Sequence, residues 1–109
     1  MGKGDHLGEF EHLVMLALLR LKGTAYGMRV RREIQSRTER SVAIGSVYAT
    51  LDRLEHKGYV VARASLEEGG RARKYFRLTP DGAQALLRQQ EAIQRMTEGL
   101  LVRQELEAI

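Results

Sequence analysis

The sequence predicts a mainly α-helical fold carrying one small β-hairpin, and three observations lead there. Apolar residues recur at helical spacing in three successive segments before Gly58. The period then becomes alternating in YVVARAS (59–65) and KYFRL (74–78), whose β-branched and aromatic content suits two short strands joined by LEEGGRAR. Beyond them TPDGAQ restarts a helix, because Thr79 is placed to cap, Pro80 fits a first turn and Asp81 suits the positive end of the helix dipole.

The first helix is predicted over 8–21, where Phe10, Leu13, Val14, Ala17, Leu18 and Leu21 share one face. Met15, Leu16 and Leu19 lie off that face, so the helix is apolar nearly all round, which implies burial on two sides. In so small a domain the second side is expected to meet another chain. Gly23 and Thr24 interrupt, with Thr24 a candidate cap, and a second helix follows over 25–37 with Met28, Val30 and Ile34 inward. A polar connection, with room for a short strand, spans 38–42. The third helix reads AIGSVYATLDRLEHKG: Ile44, Val47, Leu51 and Leu54 form its apolar stripe and Gly58 stops it. Its other stripe is Ser46, Ala49, Thr50, Arg53 and Lys57, all small, hydroxylic or basic. Gly69 and Gly70 accommodate positive φ at the hairpin tip. The last helix is predicted from Pro80 nearly to Ile109, with Gly99 its point of interruption, and Leu86, Ile93, Met96 and Leu100 in line. Thirty helical residues span roughly 45 Å, longer than such a domain is wide, so part of this helix must pack outside its own core.

Composition narrows the function classes. The 109 residues, 43% hydrophobic and 29% charged, suit one core. With no cysteine there is neither a disulfide framework nor a thiolate zinc site. There is no run of about 18 apolar residues, and MGKGDHLGEFEH lacks the apolar stretch of a signal peptide, so the expected location is cytoplasmic with no membrane partner. The net charge of +4 is unevenly spread: residues 26–78 hold twelve basic and six acidic side chains, whereas 79–109 hold three and five. The positive field belongs to the middle of the chain, and from charge alone it suits equally a polyanion, such as nucleic acid or an acidic membrane surface, and a solvated basic face.

Helix, helix, helix, hairpin, with the charge on the last three, is the layout of a winged helix-turn-helix, in which the third helix enters the major groove of double-stranded DNA and the hairpin touches the flanking backbone. The candidate DNA-binding residues are therefore Tyr26, Ser46, Tyr48, Ala49, Thr50, Arg53, Lys57, Arg71, Arg73 and Lys74. Each has a plainer reading: the α-helical stripe as solvent face, Arg53 as a brace, the basic hairpin residues as protection of an edge strand, Tyr26 and Tyr48 as core rings. The candidate dimer-interface residues are Phe10, Met15, Leu16, Leu19, Leu86, Ile93, Met96 and Leu100. The expected division is a winged helix-turn-helix DNA-binding domain over 1–78 and a C-terminal dimerisation helix over 79–109.

The segments LGEFEHLVMLALLRLKGTAYGMRVRREI, SVAIGSVYATLDRLEHKGYV and GGRARKYFRLTPDG, in that order over roughly residues 7–85, resemble the PadR family of transcriptional regulators. The resemblance implies a dimeric winged-helix repressor of a palindromic promoter element, with a recognition helix over about 44–57 and a wing over 63–75. It implies that the C-terminal helix packs with the first helix against the partner chain, and it places the chain in the short branch with a single C-terminal helix. The ligand-sandwiching tryptophan pair of some multidrug-binding members has no counterpart, since the sequence has no tryptophan. A small-molecule effector at the dimer interface is an expectation from that analogy alone.

An enzyme has no support. His6, His12 and His56 are scattered without an HExxH pattern, GKGDHLG follows no strand, there is no GxxxxGK[ST] loop, and Ser41, Ser46 and Ser65 lack a nucleophile motif. No metal and no cofactor is expected. The remaining rival is a winged-helix protein-interaction module without DNA binding, which would not need the basic excess on the third helix and hairpin.

Overall fold

In the computed structural model, residues 6–66 and 72–109 are described. The order is α1 (Glu9–Leu21), β1 (Ala25–Tyr26), α2 (Gly27–Thr38), α3 (Ile44–His56), β2 (Val60–Leu66), β3 (Ala72–Leu78), α4 (Pro80–Thr97) and α5 (Val102–Glu107). The three strands form one antiparallel sheet in the order β1-β3-β2.

Helix α1 starts at Gly8, which has no capping side chain of its own; instead the Glu11 carboxylate accepts the Gly8 N–H at 2.9 Å. It ends where Lys22 and Gly23 both take positive φ. The sequence places Ala25 and Tyr26 in the opening of α2. They are extended instead: Ala25 pairs with Phe76 and Tyr26 with Tyr75, adding β1 to the hairpin. Ala25 is fully buried there. Two residues are too few for an alternating pattern to register in a sequence. Thr24, the candidate cap, donates its hydroxyl back to Leu21 O, and Tyr26 holds the N-cap position of α2.

Val42 sets the entry into α3. Its N–H donates to Gln35 Oε1 at 3.0 Å and its carbonyl accepts from Arg31 Nε at 2.7 Å, so both backbone groups are held by α2 side chains. No strand forms over 38–42. Val47, Leu51 and Leu54 of α3 then pack with Val14, Met15 and Leu18 of α1, Val30 and Ile34 of α2, Val60 and Phe76 of the sheet, and Ala85 and Leu86 of α4. At the far end Gly58 turns with φ +80°, and Thr79 ties the exit of β3 to that turn by donating to Gly58 O at 2.6 Å. The same hydroxyl accepts the Gly82 N–H, which caps α4 as expected. A Cβ at Gly82 would fall on the Tyr59 carbonyl, so α4 docks here only through a glycine.

The assignment of Met15 and Leu86 to a dimer interface is revised. The off-face residue Met15 is fully enclosed by the chain itself, and Leu86 is 5% exposed, so neither is open to a partner. The second side of α1 is met in part by the chain's own α4. Gln89 Nε2 donates to His12 Nδ1 at 2.7 Å, His12 Nε2 lies 2.8 Å from Gln90 Oε1, and the Gln89 amide also exchanges bonds with both backbone groups of Leu7. The last helix is interrupted at the glycine that the sequence marks: α4 ends at Thr97, Gly99 takes φ +81°, and six residues form α5.

Candidate nucleic-acid interface

Because its apolar stripe is consumed by the core, α3 presents Gly45, Ser46, Tyr48, Ala49, Asp52 and Arg53 outward. Of the predicted recognition residues, Ser46, Tyr48, Ala49 and Arg53 are brought together on this face. Thr50 is not: it is 1% exposed, and its hydroxyl accepts from Arg53 Nη2 at 3.1 Å. It supports the face from beneath because position 50 lies one turn from Val47 and Leu54, on the buried side. Lys57 is also diverted. Its ammonium lies 3.1 Å from both oxygens of the buried Glu11, bracing α3 against the start of α1.

Tyr48 stands half exposed over Gly27, where any Cβ would intrude on its ring. The glycine at the first position of α2 therefore makes room for the hydroxyl end of Tyr48 against that helix. A cleft of about 410 Å³ opens on one side of α3, lined by Phe10, Arg40, Ser41, Ala43, Ser46, Ala49 and Arg53. Arg40 and Ser41, which the sequence places in the connection before α3, join the site here.

The hairpin flanks the other side of α3. Its cations divide by strand alternation. Lys74 is exposed on the face it shares with Phe76, and it lines a cleft with Tyr48, Ala49, Asp52 and Glu55 of α3. Arg73 is on the opposite face, its guanidinium 4.1 Å from the centroid of the Tyr26 ring. Tyr26 meets Tyr75 edge-on at 5.8 Å, and Arg63 lies 5.6 Å from the Tyr75 ring. Tyr26 is thus a half-buried ring at the base of the hairpin, its hydroxyl accepting from Arg32 at 3.1 Å. Arg63 and Arg77 are further exposed cations on these strands. Arg71 lies outside the described residues.

Electrostatically the site is a basic rim that also carries Asp52 and Glu55, with Glu11 as its buried acidic anchor. Burial by itself raises the Glu11 carboxyl, but the Gly8 amide, Lys57 and Arg53 together hold it below the ordinary carboxylate value. Among the described residues no three His, Asp or Glu side chains converge as a metal site, and no helix is long and apolar enough to cross a membrane.

Three helices, a hairpin beside the third, and a small antiparallel sheet closed by a short strand before the second helix define a winged helix-turn-helix of the DNA-binding class. Residues 15–88 match the transcriptional regulator PadR-like family, and the chain belongs to that family. The fold is similar to a transcriptional regulator from Thermoplasma acidophilum, with a TM-score of 0.73 at 19% identity over 94% of this chain and 98% of that one. It is similar to a PadR-like transcription factor from Bacteroides fragilis, with a TM-score of 0.72 at 24% identity, covering 82% and 84%. It also matches Bacillus subtilis PadR in complex with operator DNA, with a TM-score of 0.64 at 19% identity over 72% of this chain and 44% of that one. No curated protein sequence matches the chain.

Proposed function

We propose that this chain is a cytoplasmic, homodimeric, sequence-specific DNA-binding protein that represses a promoter carrying a palindromic element. The observation that carries the reading is the outward stripe of Ser46, Tyr48, Ala49 and Arg53 on α3, set beside a hairpin bearing Arg63, Arg73, Lys74 and Arg77. Short side chains at Ser46 and Ala49 let the helix axis approach base edges, and Arg53 supplies the donor pair that suits guanine. The hairpin cations contact phosphate and fix register without reading sequence. The winged unit through Leu78 binds DNA, and the exposed apolar run Ile93, Met96, Leu100 and Leu101 pairs two chains. Pairing sets two α3 helices about one DNA turn, roughly 34 Å, apart. An effector seated between protomers then releases DNA by changing that spacing.

The test is fluorescence anisotropy on a duplex selected from a random library and on its scrambled counterpart, at several salt concentrations. Arg53→Ala is expected to weaken binding and relax sequence preference at one position. Lys74→Ala and Arg71→Ala are expected to weaken all duplexes alike and to flatten the salt slope by about 0.9 each. Binding that does not vary with salt would replace this reading with a protein-interaction module, and a metabolite screen that leaves affinity unchanged would remove the effector.

A further inference from the structure

Glu11 is an acidic group at the edge of a surface proposed to meet a polyanion. It sits in the first turn of α1 with its side chain only 8% exposed. Its Oε1 accepts from the Gly8 amide at 2.9 Å and from Lys57 Nζ at 3.1 Å; its Oε2 accepts from Lys57 Nζ at 3.1 Å and lies 3.7 Å from Arg53 Nε. Arg53 and Lys57 are one helical turn apart, so a single carboxylate engages both cations at the C-terminal end of α3. Arg53 is held a second time through its Nη2 bond to Thr50, which cannot move because it is packed into the core. Even so, the Arg53 side chain stays 58% exposed. A guanidinium carries five N–H donors, and these contacts leave others facing outward.

The two cations are thereby given different tasks. Lys57 is 30% exposed and its charge is compensated, so it adds little to sequence-blind attraction. Arg53 remains accessible but loses its freedom of direction. A mobile cation favours every phosphate equally, whereas a guanidinium fixed before binding favours the base edge that fits it. A carboxylate at the rim also penalises loosely seated DNA, and specificity grows by weakening wrong complexes as much as by strengthening the right one.

We infer that Glu11 is a specificity-positioning residue: it keeps Lys57 off the phosphate backbone and aims Arg53 at a base. The inference rests on the DNA-binding reading above. Its test is Glu11→Gln, nearly isosteric and still able to accept the Gly8 amide, titrated against the selected and scrambled duplexes over a salt series. The expected result is a fall of about 5- to 150-fold in the ratio of the two affinities, the range set by one directional base contact. Salt dependence on the scrambled duplex is expected to steepen by about 0.9 for each freed cation. A purely structural Glu11 would lower both affinities together and leave the slope alone, and a folded variant with wild-type ratio and slope overturns the inference.

Should Glu11→Gln fail to fold by circular dichroism, Lys57→Met in the wild-type background decides the matter. An unchanged slope is expected, whereas a slope shallower by about 0.9 places Lys57 on phosphate and overturns the inference. Wild-type protein that binds neither duplex in a salt-dependent way removes the DNA-binding reading and this inference together. Wild-type binding with failed variants removes only the inference.

Discussion

The two halves of α4 belong to different environments. Between Pro80 and Leu86 the helix is part of the core: Gly82, Ala85 and Leu86 are buried, and the Thr79 cap fixes its start. From Leu87 to Ile109 nothing is buried, although Ile93, Met96, Leu100, Leu101, Val102 and Leu106 lie there with exposures of 39% to 79%. Between the halves sits the polar junction of His12, Gln89 and Gln90, which ends the helix's attachment to α1. Sequence patterning is equally apolar on both sides of that junction, so apolar periodicity alone does not say which chain supplies the contact. Helix α5 sharpens the point. Six residues are well below the length at which an isolated helix persists in water, and none of them is buried. On the dimer reading, the second half of α4 and α5 form the share of a core that a second copy completes.

The largest effect is therefore expected from the outer half. Ile93→Asp combined with Met96→Asp should convert a dimer into a monomer in sedimentation equilibrium. It should cost about 100-fold or more in DNA affinity, since joining two half-site contacts multiplies affinity by roughly 10²–10⁴. A variant that stays dimeric, or a wild type that is monomeric at micromolar concentration, would break the comparison. The core that the inner half joins responds differently. Leu54→Ala, a fully buried side chain against that core, is expected to cost about 2–5 kcal/mol in urea denaturation. That loss should not depend on protein concentration, whereas any loss in Met96→Ala should.

The glycines give a finer contrast. At Gly82 an added methyl meets the Tyr59 backbone, which cannot move without shifting the turn at Gly58. Gly82→Ala is expected to destabilise by about 1–3 kcal/mol, as overpacking does. At Gly27 the methyl meets the far end of Tyr48, a half-exposed ring that can swing away. Gly27→Ala is expected to change thermal stability by less than Gly82→Ala while lowering DNA affinity, because Tyr48 is displaced on the recognition face. Equal stability losses at the two sites would undo that distinction.

How far these features were legible in the sequence follows from the range of the contacts involved. The three helices, the hairpin and the Thr79–Pro80 start rest on local signals, periodicity and capping, and they appear where those signals lie. Strand β1 does not, because Ala25 and Tyr26 become a strand only by pairing with Phe76 and Tyr75, some fifty residues away. On α3 the stripe was readable at Ser46, Ala49 and Arg53. Thr50 was misplaced because a small hydroxylic residue suits either side of a helix, and only the packing of Val47, Leu51 and Leu54 settles which. Glu11 gave no signal at all: a glutamate in a first turn reads as an ordinary dipole and capping residue, and its pairing with Lys57 spans 46 positions.

Acid provides the smallest and most local contrast. The Glu11 carboxyl is held below the ordinary carboxylate range in the folded chain, with burial opposed by the Gly8 amide, Lys57 and Arg53. A depressed folded value means that the ionised group stabilises the fold above its unfolded pKa of about 4.3, and that this contribution disappears as pH falls through the lower folded value. The stability difference between wild type and Glu11→Gln should thus be constant from neutrality to about pH 5 and shrink below it. Glu33 is shifted the same way by the Arg37 and Arg20 hydrogen bonds, but it is more exposed and solvent screens it more. In the outer segment Arg103 and Glu107 pair at 3.2 Å with 89% and 65% of their side chains exposed, a pair of small net effect. Acid sensitivity below about pH 5 should accordingly be read in the unfolding of the winged unit, through the link between α1 and the end of α3. The apolar association of the outer segment should vary little over the same range in sedimentation runs; chain pairing lost in step with Glu11 protonation would mean that the two regions are coupled through α1.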